Sequence, residues 1–502
     1  MIGRRAVFDP EDPSCLAELG AADAAKAIRA GAVRAASLIE ALLARIEAAS
    51  DLHAFVTVDA DRALRSARAV DQARAAGRPL GRLAGVPLAI KDNIHVAGLP
   101  NTAGTPGLRA FMPTSNAPVV GALAEAGAIV IGKTNMHELA FGITSSNAAF
   151  GAVPTPYDLR CFAGGSSGGT AAAVAARLVP AGLGTDTGGS VRIPAALTGT
   201  VGFRPSTGRY AREGLTPIAR SRDTAGPMAR RVGDLRLLDE ILAGTAPGPE
   251  PAAARGLRLG LERDHLWAEL DPELAEVAEE VLSLLRSGGV ELVDIAMPGL
   301  AELSSQVGFP VSGYEARLEL SDYLKRWDTG LELEALAAEI ATAEVKHIFD
   351  AYLLGAQAVT EASYRTAVDE LLPALRRLYE DTFTAHRLDA LLFPTTPLPA
   401  RPIAGSEETV MLGGRRVPTF EAFLRNTYPG ASAGLPGLSL PAGLTAQGLP
   451  VGLELDGRPG SDRRLLAIGS CVEGLLPALP PPAETWRSRP PHGRQMYSQG
   501  AP

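Results

Sequence analysis

The chain has 502 residues, of which 46% are hydrophobic and 21% charged, so it can bury a large core and does not have the composition of a disordered chain. The formal net charge of −8, with acidic and basic residues interspersed, argues against nucleic acid as a partner. No apolar run reaches the ~18 residues of a membrane span, and no signal-peptide pattern opens the chain. The three cysteines are scattered and form neither a disulfide framework nor a zinc cluster. These features predict a cytoplasmic protein without metal or membrane association.

In the first third of the chain, a pattern typical of amphipathic helices is followed by a pattern of alternating strands and helices. Over 20–48, Ala, Leu and Ile alternate with charged residues at helical spacing, which predicts two amphipathic helices, and 61–76 predicts a third. From residue 84, short apolar runs alternate with Gly-rich turns and helical stretches, as in an α/β sheet with helices on its faces. The expected strands are Val86–Ile90, Ala128–Ile131 and Leu178–Leu183, and the expected helices are Val119–Ala126 and Gly169–Arg177.

In the second half, a part predicted to be mainly helical is followed again by a pattern of alternating strands and helices. A helix is expected at Val232–Leu242, and the part 257–386 is expected to hold mainly long helices. No linker separates the halves, so 1–475 is predicted to be a single α/β domain whose C-terminal strands rejoin the first sheet. The Pro-rich tail 476–502 is expected to be disordered or draped over the surface. In this half we predict strands at Leu257–Leu261, Val290–Ile295, Ala390–Pro394, Gly437–Pro441 and Val451–Leu455, and helices at Leu331–Leu353, Tyr364–Thr384 and Asp462–Leu475.

A phosphate-loop pattern occurs once, at 127–134, where the sequence reads GAIVIGKT. A P-loop needs its variable residues in a loop with inward-pointing N–H groups, whereas Ala-Ile-Val-Ile has the composition of a buried strand. We therefore favour a strand that ends at Gly132, and a P-loop nucleotide-binding protein that uses Lys133 is the alternative.

A second pattern, GGSSG at 164–168, matches the nucleophile elbow of α/β-hydrolases with Ser166 as nucleophile. The elbow requires a strand directly before it and a downstream histidine. The preceding residues are polar and irregular, and none of the four downstream histidines lies in a turn rich in small residues. The downstream histidines are His265, His347, His386 and His492.

A third pattern combines one lysine with serines in two glycine-rich segments. Only five of the 48 basic residues are lysines, and Lys91 closes an apolar run, where burial would favour its neutral form. A neutral lysine can replace histidine as the base that activates a serine. Gly188-Gly189 immediately precede Ser190, so their backbone N–H groups can turn toward a developing oxyanion. The residues alone leave this hypothesis and an ordinary loop-and-surface interpretation open.

These segments resemble the amidase signature family. GGSSGG and GTDTGGSVRIPA are similar to its serine motifs, and GVPLAIKDN is similar to its lysine motif. The signature block covers 85–205, and further similarity makes most of 20–475 family-like. The resemblance implies a large mixed, twisted β-sheet of about eleven strands covered by helices. The further similar segments are GAIVIGKTNMHELAFG, DTAGPMARRV, LLFPTT and GLPGLSLPAGLTAQGLPVGLEL.

The same resemblance implies an amide hydrolase with a Ser-Ser-Lys triad and no cofactor. The acylated nucleophile corresponds to Ser190, the bridging serine with its cis peptide to Ser166, and the base to Lys91. The oxyanion hole corresponds to the backbone N–H groups of Thr187, Gly188, Gly189 and Ser190, and the residues that hold these loops are Ser167, Asp186 and Arg192.

The substrate is expected to be a small-molecule amide. The region from Ala140 to Tyr210 resembles the indoleacetamide and mandelamide hydrolases of bacteria, which implies a small aryl(acet)amide such as indole-3-acetamide or mandelamide. The alternative is a promiscuous aryl-amide, ester or carbamate (urethane) hydrolase of the same family. A homodimer is left open.

An apolar pocket beside the triad should hold the aryl group. Its candidate lining residues come from loops that are expected to flank the triad. For Phe141 and Tyr428, ordinary packing in the core is as good an interpretation as a place in the pocket. The candidate lining residues are Phe141, Gly142, Ile143, Thr144, Tyr428 and Pro429.

Overall fold

The strands of the computed structural model, which describes residues 9, 12–248 and 252–488, cover both halves of the chain. They are β1 Phe55–Val58, β2 Pro87–Lys91, β3 Ile129–Thr134, β4 Ser146–Asn147, β5 Gly151–Ala152, β6 Pro154–Thr155, β7 Asp158–Phe162, β8 Ala181–Asp186, β9 Val201–Arg204, β10 Thr224–Ala229, β11 Arg258–Glu262, β12 Glu291–Ile295, β13 Ala390–Pro394, β14 Thr409–Leu412, β15 Arg415–Pro418, β16 Gly437–Leu444 and β17 Pro450–Asp456.

Helices alternate with these strands and cover the sheet. They are α1 Pro13–Ala17, α2 Ala21–Ala30, α3 Ala35–Ala48, α4 Ala60–Ala75, α5 Pro118–Glu125, α6 Gly168–Ala175, α7 Arg192–Thr198, α8 Val232–Leu242, α9 Pro272–Ser287, α10 Leu300–Arg326, α11 Leu333–Ala338, α12 Ala343–His347, α13 Glu361–Thr366, α14 Leu372–Ala385, α15 Thr419–Leu424, α16 Thr427–Ala433 and α17 Asp462–Leu475.

Eleven strands form one mixed sheet in the order β1-β3-β2-β8-β10-β9-β16-β17-β13-β11-β12. β2 lies between β3 and β8 and is parallel to both, whereas β10 is antiparallel to β8 and β9. β16 pairs with β9, so the C-terminal strands join the first ones in the same sheet. The fold class is therefore confirmed: a large mixed sheet of eleven strands covered by helices.

The central strands are buried on both faces, which explains their nearly continuous runs of apolar and small residues. Small residues in β8 allow α6 to pack directly on the strand. A Cβ atom at Gly184 would lie 2.7 Å from Ser167 Oγ, so a larger residue would displace the start of α6.

Several expected elements differ in the structure. The helix expected over Tyr364–Thr384 contains a π-helical turn between α13 and α14. The strand expected from Leu178 begins at Ala181, because 176–180 turn the chain from α6 back into the sheet. The helix expected over Leu331–Leu353 is broken into α11, α12 and a π-helical turn. At the break, the buried carboxylate of Glu138 accepts hydrogen bonds from the backbone N–H groups of Ala341 and Thr342.

The ordered body extends past residue 475. Trp486 is 2% exposed in the core, and Arg45 forms an ion pair with Glu484 at 2.7 Å. Burial of the indole holds this part of the tail against the helical layer. The rest of the expected tail, 489–502, lies outside the described residues.

Candidate active site

Two parallel strands bring the predicted lysine and serines to one edge of the sheet. Lys91 is the last residue of β2, and Asp186 is the last residue of the neighbouring strand β8. Ser190 lies in the turn between β8 and α7, and Ser166 lies just before α6. Because parallel strands end at the same edge, residues 75 or more apart in the sequence meet there.

The Lys91 amine is buried and hydrogen-bonded to a serine. Its Nζ donates to Ser166 Oγ at 2.7 Å and to Thr185 Oγ1 at 2.8 Å, and Asn93 Nδ2 also donates to Thr185 Oγ1. The side chain is 0% exposed. Burial lowers the pKa of Lys91 to about 7, although the carboxylates of Asp186 and Asp223 oppose this effect. A neutral amine in this position can accept a proton from Ser166.

Ser190 lies beside Ser166 and nearer to solvent. The backbone N–H of Ser167 donates to Ser190 O at 3.1 Å, and Ser167 Oγ donates to Thr185 O. The Gly165–Ser166 peptide is cis, as the resemblance implies. Ser190 is 8% exposed, whereas Lys91 and Ser166 are 0% exposed. Ser190 is therefore the more accessible of the two serines, and the buried Lys91 amine is hydrogen-bonded to the less accessible one.

The residues from Thr187 to Ser190 form a loop, here named the oxyanion loop, whose backbone donors are free. Gly189 has a φ of +148°, a conformation that side chains disfavour, and a Cβ atom there would lie 2.3 Å from Thr427 Oγ1. Thr427 Oγ1 donates to Gly188 O at 2.6 Å. Within the part of the chain that the structure describes, the N–H groups of Gly188, Gly189 and Ser190 have no protein acceptor. Three such donors can stabilise an oxyanion.

A buried ion-pair network holds both ends of this loop. Asp186 accepts from Arg192 Nε and Nη2 at 3.1 Å, from Arg204 Nη1 at 3.0 Å and from the Val191 N–H. Burial raises the pKa of Asp186, but the two guanidinium groups outweigh it and hold that pKa below its ordinary value. Arg192 also pairs with Glu454 of β17. Asp186 is therefore an ionised anchor for the start of α7.

The predicted pocket residues belong to two apolar clusters. Phe141 packs edge-to-face on Phe349 with ring centroids 5.2 Å apart. Ile143 belongs to the second cluster, which Tyr428 borders. A Cβ atom at Gly188 would lie 2.7 Å from the Tyr428 ring, so this ring lies against the oxyanion loop.

The remaining candidates, Gly142, Thr144 and Pro429, are buried near these clusters. A Cβ atom at Gly142 would lie 2.1 Å from His137 Nε2, so that the imidazole packs on the Gly142 backbone. Thr144 Oγ1 lies 3.4 Å from His137 Nδ1, and Pro429 is buried in α16. Burial lowers the pKa of His137 to about 3, so the imidazole is neutral at physiological pH.

Neither of the other two motifs has the geometry it needs. Lys133 lies within β3, and its Nζ pairs with Asp92 Oδ1 at 3.2 Å and donates to Pro100 O. It is 0% exposed, so GAIVIGKT is a strand and not a phosphate loop. The side-chain partner of Ser166 is Lys91 and not a histidine, which contradicts the nucleophile elbow.

Sequence reasoning missed four residues that contact the site. Thr185 and Asn93 bind or flank Lys91, Arg204 holds Asp186, and Asp223 accepts from Thr187. All four lie inside segments that are similar to the family. Their polar side chains within apolar or glycine-rich segments were the available signal. In the residues that the structure describes, no group of three or more His, Cys, Asp or Glu side chains could hold a metal ion, and no helix has the length and hydropathy needed to cross a bilayer.

Comparisons with known proteins identify the family of the chain. The Amidase family matches residues 37–466. Mandelamide hydrolase of Pseudomonas putida is 44% identical and covers 94% of either chain, and indoleacetamide hydrolase of Rhizobium radiobacter is 44% identical over 88% of this chain and 93% of its own. A solved amidase structure superposes with a TM-score of 0.79 at 36% identity, over 91% of this chain and 100% of its own. The chain belongs to the Amidase family and is an amide hydrolase.

Proposed function

We propose that this amidase hydrolyses a small aryl(acet)amide through an acyl-Ser190 intermediate, with Ser166 and Lys91 as its proton relay. The observation that carries the proposal is the 2.7 Å hydrogen bond between Lys91 Nζ and Ser166 Oγ at a fully buried amine. A buried lysine that is neutral near pH 7 is a base, whereas a solvated one is not.

In the acylation step, Ser190 Oγ attacks the amide carbon and its proton passes through Ser166 Oγ to Lys91 Nζ. The N–H groups of the oxyanion loop bind the negative oxygen of the tetrahedral intermediate. The C–N bond then breaks, and the leaving nitrogen takes the proton back along the same path as ammonia. Water repeats the sequence on the acyl-enzyme and releases the carboxylic acid.

Two observations support an aromatic acyl group. Phe141 with Phe349, and Ile143 beside Tyr428, provide apolar surfaces near the triad, where a ring would be held by apolar and edge-to-face contacts. In addition, the 44% identical relatives are named for mandelamide and indoleacetamide, which are both primary amides of aryl-substituted acetic acids.

The chemistry is tested by mass spectrometry after reaction with a fluorophosphonate probe. We expect the label on Ser190, no label in Ser190→Ala, and normal labelling in the control Ser305→Ala, which changes an exposed serine of α10. A label on Ser166 in the native enzyme would contradict the assigned nucleophile.

The substrate is tested by kcat/KM on indole-3-acetamide, mandelamide, a fatty amide, an aryl anilide and an aryl carbamate. Preference for the first two by about tenfold, or roughly 1.4 kcal/mol of transition-state discrimination, supports the proposal. Equal or better turnover of the anilide and the carbamate would replace it with the broader aryl-amide, ester and carbamate hydrolase.

A further inference from the structure

Asp223 contacts the oxyanion loop from outside the predicted triad. It lies in the turn before β10, and its Oδ1 accepts a 2.6 Å hydrogen bond from Thr187 Oγ1. Its Oδ2 accepts from the backbone N–H groups of Ile218 and Ala219, both at 2.8 Å. Asp223 is 9% exposed, so these three bonds replace most of the hydration of its carboxylate.

The loop needs such a contact because two of its residues are glycines. Asp186, before the loop, is fixed by Arg192 and Arg204. Gly188 and Gly189 have no side chains, so their N–H directions depend on what holds the neighbouring residues. On one side Thr427 binds Gly188 O, and on the other Asp223 binds the Thr187 hydroxyl.

The same carboxylate joins the loop to one of the apolar clusters beside the triad. Ile218 and Ala219 belong to the apolar cluster that contains Phe141 and Phe349. Asp223 therefore sets the distance between the oxyanion donors and the surface on which the acyl group is expected to lie. A displacement of about 1 Å at such a point can cost about a hundredfold in rate.

We propose that Asp223 is a positioning residue for the reaction, which acts through the Thr187 hydroxyl to aim the N–H groups of the oxyanion loop. The inference rests on the proposed acyl-serine chemistry, because an oxyanion forms only if Ser190 attacks a carbonyl. Asp223 donates and accepts no proton in the reaction itself.

The charge of Asp223 provides a second, independent readout. Burial raises the pKa of Asp223 to about 6, and the carboxylate is therefore mostly ionised at pH 7. The hydrogen bonds from Thr187, Ile218 and Ala219 and the charge of Arg204 act in the opposite direction and lower this pKa. The charge of Asp223 favours protonated Lys91, as does that of Asp186. Removing the charge should therefore move the Lys91-dependent limb of the rate profile to lower pH.

The test compares Asp223→Asn, Thr187→Val, Thr187→Ser and the double variant Asp223→Asn/Thr187→Val with the native enzyme. For each protein, kcat and KM are measured on the preferred amide, together with the rate of fluorophosphonate labelling at Ser190. Asp234→Asn is the matched control, because Asp234 is also buried and accepts a backbone N–H, from Ala22, away from the site. We expect kcat and the labelling rate to fall about tenfold in Asp223→Asn and Thr187→Val, with KM changed less than about twofold. The double variant should lose little more than either single variant, and Thr187→Ser should lose less than Thr187→Val.

Three outcomes would overturn the inference: kcat within twofold of the native value in both Asp223→Asn and Thr187→Val, additive losses in the double variant, or an unchanged pH limb in Asp223→Asn. If Asp223→Asn fails to fold, Thr187→Val decides alone, because it removes only a hydroxyl group. Native enzyme that is not labelled at Ser190 would instead refute the proposed function itself, so the two failures are distinguishable.

Discussion

Replacing Lys91 with methionine should abolish turnover and make the folded chain more stable at neutral pH. The native amine has a pKa of about 7 in the folded chain and 10.5 in the unfolded one, because it is buried. Between these values the unfolded chain binds one more proton than the folded chain, so the stability of the native protein rises with pH across this window. Methionine has a similar shape and no charge to desolvate.

The magnitude follows from the two pKa values. Holding Lys91 in the folded chain costs about 4 kcal/mol at pH 7 and about 2 kcal/mol at pH 9. Methionine also loses the hydrogen bonds of Lys91 to Ser166 and Thr185, each of which contributes about 1 kcal/mol. The net gain in the free energy of unfolding should be about 2 kcal/mol at pH 7 and close to zero at pH 9.

Urea unfolding of both proteins at the two pH values measures this difference, with activity recorded in parallel. Lys26→Met is the control, because Lys26 is exposed on α2 and should show no pH-dependent gain. A Lys91→Met protein that is less stable than the native one at pH 7, by an amount that does not change at pH 9, would show that Lys91 is not held as a neutral amine and would refute the relay.

Three further predictions concern the reaction. The value of kcat/KM should rise with pH on one limb with its midpoint near 7, because only the neutral Lys91 amine accepts a proton, and a limb that disappears when a histidine is replaced would contradict this. Ser190→Ala should lower kcat by about 10³-fold or more, and the triple variant with Ser166→Ala and Lys91→Ala should be little worse, as steady-state kinetics on an aryl amide will measure; additive losses would refute a triad that acts as a unit. Burial raises the pKa of the Cys161 thiol to about 11, so thiol reagents at pH 8 should leave activity unchanged, and a rapid inactivation that Cys161→Ser prevents would disprove this.

Sequence reasoning located elements well where a local pattern decides them. The helix Val232–Leu242 and the strand Ala390–Pro394 have the predicted bounds, because an amphipathic period and a short apolar run between turns are visible in the residues themselves. It missed the break between α11 and α12, since the carboxylate that binds those backbone N–H groups belongs to Glu138, some 200 residues earlier. Such a partner leaves no trace in the local pattern.

The amino-acid sequence alone determined the alternation of strands and helices and the lysine that could act as a base. It also determined the resemblance of the glycine- and serine-rich motifs to those of the amidase signature family. Those properties depend on near neighbours in the chain. Only the tertiary structure decided that Lys91 is desolvated beside Ser166, that Lys133 is neutralised by Asp92, and that Asp223 binds the oxyanion loop. The physical reason is that the pKa of an amine and the direction of a backbone N–H depend on burial and on partners that distant segments of the chain bring together.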